Sequence, residues 1–381
     1  MPPPSAAPAP PSRAFVRRLL RAYADGELTN LIQIGHATGL WTVLANGGGT
    51  AAEIARRARL DPRYVDEWLR ALAVARVLRY DARRESFHLA PSRAACLAGP
   101  GIYNLAPGSG MVAIGARHLP RVARAFRSGK GIPAAVYEPE FSRLMDDLNR
   151  RRYDALLVPE YVRLAPGLEA RLRRGIRVLD FGTGSGHPVN LLARAYPRSR
   201  FVGVELARLP LARARREARS LGLRNVRFVR GGVSSLRTLG RFDLLTAFDV
   251  IHDLAWPEAT VAALVRRLRP NGRVLIGEPR ASSDLGENIG RTGAAYLYGV
   301  SVTYCLPVSR AGGPGGLGTC WGVERAKALL ESAGVARVRV RPAPGNALAV
   351  VITGRILATH PRRRRSAEGP ALARGGRSCP K

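Results

Sequence analysis

Between Ala14 and Gly39 the apolar positions Phe15, Leu19, Leu20, Leu28, Leu31, Ile32 and Ile34 recur with a helical period, which predicts one or two amphipathic helices. Thr50 with Glu53 three residues later forms a capping-box pattern that opens a short helix. Asp61-Pro62 supplies the cap and first residue of another, with Val65, Trp68, Leu69 and Leu72 on its apolar face. From Val77 to Leu89 the pattern changes to alternation about Asp81-Ala82-Arg83-Arg84, as in a hairpin. Three helices followed by a wing are therefore expected over 13–95. A mainly helical connection follows over 96–174, where Tyr137, Phe141, Met145 and Tyr153 can line a pocket or fill a core.

From Gly175 short apolar runs alternate regularly with amphipathic stretches. The reading is strand 177–181, helix 187–196, strand 201–205, helix 209–221, strands 225–230 and 242–248, helix 258–268, strand 272–278 and helix 323–333. An antiparallel pair near 336–342 and 347–354 closes the series. Such alternation predicts an α/β fold with a doubly wound, Rossmann-like seven-stranded sheet, its ligands at the carboxyl ends of the strands. The fold class is then this sheet over 175–357 with a helical winged-helix domain before it. A Gly-rich insertion over 282–321, with Tyr296, Tyr298, Tyr304 and Trp321 interspersed, has the length of a lid. Residues 1–12 and 358–381, the latter with Arg362-Arg363-Arg364-Arg365, carry no apolar period and are expected to be disordered.

The chemistry concentrates at Arg177-Val178-Leu179-Asp180-Phe181-Gly182-Thr183-Gly184-Ser185-Gly186, a strand that runs into a glycine turn and then a helix. Glycines let the backbone turn sharply and approach a ligand closely, and the helix N-terminus offers free N–H groups. A dinucleotide fingerprint would need its third glycine at His187, and no phosphate-binding G-x-x-x-x-G-K-[ST] loop is present. Glu205 ends the next strand, where a ribose-binding carboxylate belongs.

The run Asp180 to Gly186 resembles motif I of class I S-adenosylmethionine-dependent methyltransferases. That resemblance implies S-adenosyl-L-methionine as cofactor, with Asp180, Gly182, Thr183, Gly184 and Gly186 at its methionine end. Residues 13–357 look like a winged-helix methyltransferase family of mycobacteria and other actinobacteria. The matching segments include Ile34-Gly35-His36-Ala37-Thr38-Gly39-Leu40, Tyr64 to Leu69, Phe248-Asp249-Val250-Ile251-His252-Asp253 and Gly315-Gly316-Leu317-Gly318. By the same resemblance Phe248 and Asp249 stand with the cofactor. Ile251-His252-Asp253 followed by Pro270-Asn271-Gly272-Arg273-Val274 is similar to plant-type O-methyltransferases, where that histidine is the general base. The implied catalytic residues are His252 and Asp253. An unperturbed imidazole is mostly neutral at neutral pH, and Asp253 or Asp249 would orient the ring or stabilise the imidazolium. The chain departs from the pattern at Arg230-Gly231-Gly232-Val233, which lacks the usual acid for adenine, and at Tyr304-Cys305, where the family often has His-Cys.

Charge alters this picture less than its size suggests. The net charge is +33, but all except three of the 61 basic residues are arginines scattered along the chain, as GC-rich coding would produce. A functional polyanion surface is the other reading. The four cysteines show no C-x-x-C pairing, so neither a disulfide framework nor a metal site is expected. No apolar stretch has the length of a membrane span, and no secretory signal opens the chain, which reads as cytoplasmic. The favoured function is methylation, most simply O-methylation, of a small hydroxylated or aromatic acceptor by a homodimer formed through residues 13–100. The alternative is a winged-helix nucleic-acid methyltransferase or cofactor-sensing regulator, reading DNA with the helix that carries Arg63 and Arg70.

Overall fold

The computed structural model describes residues 12–357, so the expectations for both termini lie outside it. The N-terminal part contains α1 (Arg13–Thr38), α2 (Leu40–Ala45), β1 (Gly49–Thr50), α3 (Ala51–Ala58), α4 (Pro62–Val74), β2 (Arg79–Asp81) and β3 (Ser86–His88). Local chemistry sets these boundaries. Thr50 and Glu53 complete a reciprocal capping box, and the Asp61 carboxylate accepts from the amides of Arg63 and Tyr64 ahead of Pro62. The three strands form a small antiparallel sheet, the wing, in the order β1-β3-β2. Its core centres on Trp41 and Trp68, whose indole N–H groups donate to the carbonyls of Ile32 and Leu31.

The connection comprises α5 (Pro91–Leu97), α6 (Ser109–Arg117), α7 (Leu119–Ser128), α8 (Glu140–Leu156) and α9 (Leu168–Arg174). Then come β4 (Arg177–Phe181), α10 (His187–Ala195), β5 (Arg200–Glu205), α11 (Arg208–Ser220), β6 (Val226–Arg230), β7 (Phe242–Phe248), α12 (Pro257–Val265) and β8 (Leu268–Pro279). The insertion is largely helical, with α13 (Ala294–Val300), a π turn at Ser301–Cys305 and α14 (Leu306–Ala311), before α15 (Val323–Ser332), β9 (Ala336–Ala343) and β10 (Asn346–Arg355).

The seven strands lie in the order β6-β5-β4-β7-β8-β10-β9, parallel from β4 to β8, with β10 antiparallel to both β8 and β9. Two apolar layers cover the sheet: Leu179, Val204, Leu245 and Ile276 belong to one core, Val178, Leu244, Leu275 and Val351 to the other. Alternate residues of one strand serving opposite cores is what a sheet buried on both faces requires. The strand order reverses between β4 and β7, so a crevice opens at their carboxyl ends. No helix among the described residues is long and apolar enough to cross a membrane.

Candidate active site

The glycine turn occupies that crevice. Gly182, Gly184 and Gly186 all have positive φ, of 67°, 53° and 76°. A Cβ on Gly182 would strike Val250, and one on Gly186 would strike Ala214, so these positions need glycine for space as well as for backbone conformation. Beneath the turn, buried Asp180 accepts from the hydroxyls of Thr183 and Thr246. Burial pushes its carboxyl up to about 6 despite those hydrogen bonds. Asp180 thus shapes the turn through Thr183. Glu205 accepts from the amides of Gly184 at 3.0 Å and Ala207 at 2.8 Å, joining the turn to the end of β5, and its burial raises its pKa.

A cavity of about 990 Å³ opens above these groups. Its lining includes the turn, Glu205, Leu206, Gly231, Phe248 and Asp249, together with Met111, Phe141, Met145, Leu148, Tyr296 and Tyr304. At the position where the sequence lacks the family's acid, Gly231 lines the cavity with backbone alone. Asp249 leaves β7 with φ 56°, and burial brings its carboxyl to about 6. Of the insertion's aromatics, Tyr296 and Tyr304 line the cavity, Tyr304 stacking on Phe141, whereas Trp321 is buried outside it.

His252 lies in a short turn, Ile251–Asp253, just past β7, and is 4% exposed. Its Nδ1 is 2.9 Å from an oxygen of Glu278, a fully buried carboxylate near the end of β8. Glu278 also accepts from the Trp321 indole and the amide of Ile251. The ring is therefore oriented by Glu278, not by Asp253 or Asp249 as expected from the sequence. Asp253 stands on the opposite side, Oδ1 at 3.5 Å from Nε2, too far for a hydrogen bond, and that buried oxygen has no hydrogen-bond partner. Burial pulls the His252 pKa down, but the carboxylates of Asp253 and Glu278 outweigh it, leaving the pKa well above its ordinary value. The expected neutral imidazole is corrected on this point: two carboxylates favour the imidazolium. Cys305 and Thr319 complete the wall around Nε2, with burial pushing the Cys305 thiol up to about 11.

Two features had no readable sequence signal. Arg152 is 7% exposed and lines the cavity, yet its polar partners are the Gly345 carbonyl and the Asn149 amide oxygen, with no carboxylate ion pair among the described residues. A buried cation without an anion is expensive unless a ligand supplies one. Nearby, Asp146 on α8 accepts from Ser185 in the glycine turn and from Arg150, which also binds Glu217. His187 sits between Asp154 and Glu217, each at 2.8 Å.

Residues 172–338 match the profile of a methyltransferase domain, and residues 26–99 that of an Rv2258c-like winged HTH domain. A ubiquinone biosynthesis O-methyltransferase from Nitrosococcus oceani is 30% identical over 128 residues, 33% of this chain and 49% of that protein. The chain thus spans about half the length of the curated relatives it matches. An O-methyltransferase family protein from Burkholderia thailandensis superposes with TM-score 0.65 at 16% identity, covering 92% of this chain and all of that one. Human N-acetylserotonin methyltransferase, solved in complex with SAM, gives 0.63 at 17% identity, covering 92% of this chain and 100% of that one. At such identities the likeness is one of fold.

Proposed function

We propose that this chain, which joins a methyltransferase domain to an Rv2258c-like winged-helix domain, transfers the methyl group of S-adenosylmethionine to a hydroxyl of a small, largely apolar acceptor. The observation that carries the reading is one cavity lined by the glycine turn with Glu205 and by His252 with Asp253. The cofactor supplies an already activated sulfonium methyl. The protein must align donor and acceptor and remove a proton. The turn, Glu205, Phe248 and Asp249 suit the nucleoside and methionine parts, and Arg152 is the cation available to the methionine carboxylate. The fit rests on that unpaired arginine and on Gly184, where a Cβ would meet no atom within 4 Å, so the space beside the turn is open to a ligand.

Because Glu278 occupies Nδ1, proton acceptance falls to Nε2 of His252, with Asp253 beside it to stabilise the charge. A cationic methyl donor beside the ring opposes the imidazolium, so His252 becomes a competent base when the donor is bound. The rings of Phe141, Tyr296 and Tyr304 suit an aromatic acceptor. The nucleic-acid reading has less support: on α4, Arg63 pairs with Glu67 and Arg70 with Asp66, so the helix that would face DNA neutralises its own arginines. Calorimetry with S-adenosylmethionine and with NAD, followed by a screen of phenolic acceptors for added methyl mass, tests the proposal. Tighter binding of NAD, or no cofactor binding, overturns it.

A further inference from the structure

The wall around Nε2 holds more donors than proton transfer requires. His252, Asp253 and Cys305 each offer one atom, and these atoms lie within 4.8 Å of one another. Three observations point to a ligand among them. The Oδ1 of Asp253 is buried without a hydrogen-bond partner. So is Oγ1 of Thr319, a residue 3% exposed in the same wall. The Nδ1 of His252 is tied to Glu278, the carboxylate–imidazole arrangement that fixes Nε2 as a metal donor and raises its basicity.

We infer that His252, Asp253 and Cys305 form a binding site for a thiophilic divalent cation of the Zn²⁺ class, with its fourth position open to the acceptor cavity. The donor set selects the metal: thiolate and imidazole suit Zn²⁺ or Co²⁺, whereas Mg²⁺ and Ca²⁺ require oxygen. Donor atoms around a tetrahedral zinc stand roughly 3–4 Å apart; Nε2 and Oδ1 are already 3.5 Å apart, and with every donor within 4.8 Å of the others only a small closing movement is left. Binding displaces the Sγ proton, together with any proton on Nε2, to solvent. Three protein ligands with one open position is the arrangement of reactive rather than purely structural zinc sites. Nε2 cannot hold a metal and accept a proton at once. Metal occupancy therefore withdraws the base from the methyl-transfer reaction; that consequence rests on the function proposed above, whereas the donor set itself does not.

The test uses the untagged full chain, reduced and freed of metal, titrated with Co²⁺. One equivalent should produce a sulfur-to-cobalt charge-transfer band in the near ultraviolet together with intense tetrahedral d–d bands, and one equivalent of Zn²⁺ should abolish both. Cys305→Ser should lose the charge-transfer band, while Cys320→Ser, altering the neighbouring thiol, should keep it. Asp253→Asn preserves side-chain shape and should move the d–d bands while retaining the sulfur band. Glu278→Gln should weaken Co²⁺ binding about 10- to 100-fold. The inference is overturned by the absence of a sulfur band in the wild type, or by a band that survives Cys305→Ser. If Cys305→Ser does not fold, d–d bands unchanged by Asp253→Asn overturn it equally. S-adenosylmethionine affinity, measured on the metal-free protein, tests the methyltransferase reading separately.

Discussion

With Nδ1 of His252 held by Glu278, the ring cannot turn over without breaking its hydrogen bond to a buried carboxylate that Trp321 and Ile251 hold in place. Replacing Glu278 by Gln keeps the shape but removes the charge that favours a proton on the ring. Turnover should fall roughly 10²–10⁴-fold, as for His252→Ala, with cofactor affinity retained. Single-turnover rates beside calorimetry check this, and an unchanged rate removes both residues from proton transfer. Glu205 is expected to act on binding instead: Glu205→Ala should weaken S-adenosylmethionine by about 1.5–3 kcal/mol, the loss of a charged hydrogen bond. Asp180 works against folding stability. Its carboxyl moves from 3.8 to about 6 on folding, so the folded state holds the proton more tightly and loses stability as pH rises across that interval.

Among the elements, α8 carries a network of charged contacts to its neighbours. Its Asp146, Arg150 and Asp154 meet Ser185, His187 and Glu217 of the methyltransferase domain. Burial alone would raise the Glu217 carboxyl, but hydrogen bonds from His187, Arg150 and Asn190 take it down to about 2. A depressed carboxylate stabilises the fold above its ordinary value of 4.5, and that stability is lost as pH falls from there towards about 2. Glu217→Gln should therefore lower stability by on the order of 2 kcal/mol at pH 7 and flatten the acid limb of a melting-temperature profile. A parallel profile in the variant contradicts the assignment. Elements of this kind differ in how far the sequence discloses them. The strands, caps and glycine turn were legible because each is written in adjacent residues, from Thr50 with Glu53 to Asp180 with Gly186. Glu278 lies 26 positions beyond His252 and its role depends on sheet register, which local pattern does not encode. Arg152, one arginine in an arginine-rich chain, could not be singled out, and the helical content of the insertion was hidden by its glycines.

At the scale of the molecule, α1 presents Phe15, Leu20 and Tyr23 each more than half exposed, although it carries the expected apolar period. An apolar helix face left in water favours association, so a two-fold dimer through residues 13–100 is expected. Light scattering on the full chain checks it, and Phe15→Glu with Leu20→Glu should give monomers; a monomeric wild type contradicts the claim. A different consequence follows from two neighbours on α8. Asp146 reaches the cofactor turn through Ser185, and Asp147, next in sequence, binds His36 of α1 at 2.8 Å. One rigid helix thus acts as a beam loaded at both sides, and tightening the grip on a ligand at one side steadies the other. Amides of α1 around His36 should exchange with deuterium more slowly once S-adenosylmethionine is bound, and Asp147→Asn should erase that remote protection while leaving protection of the glycine turn in place.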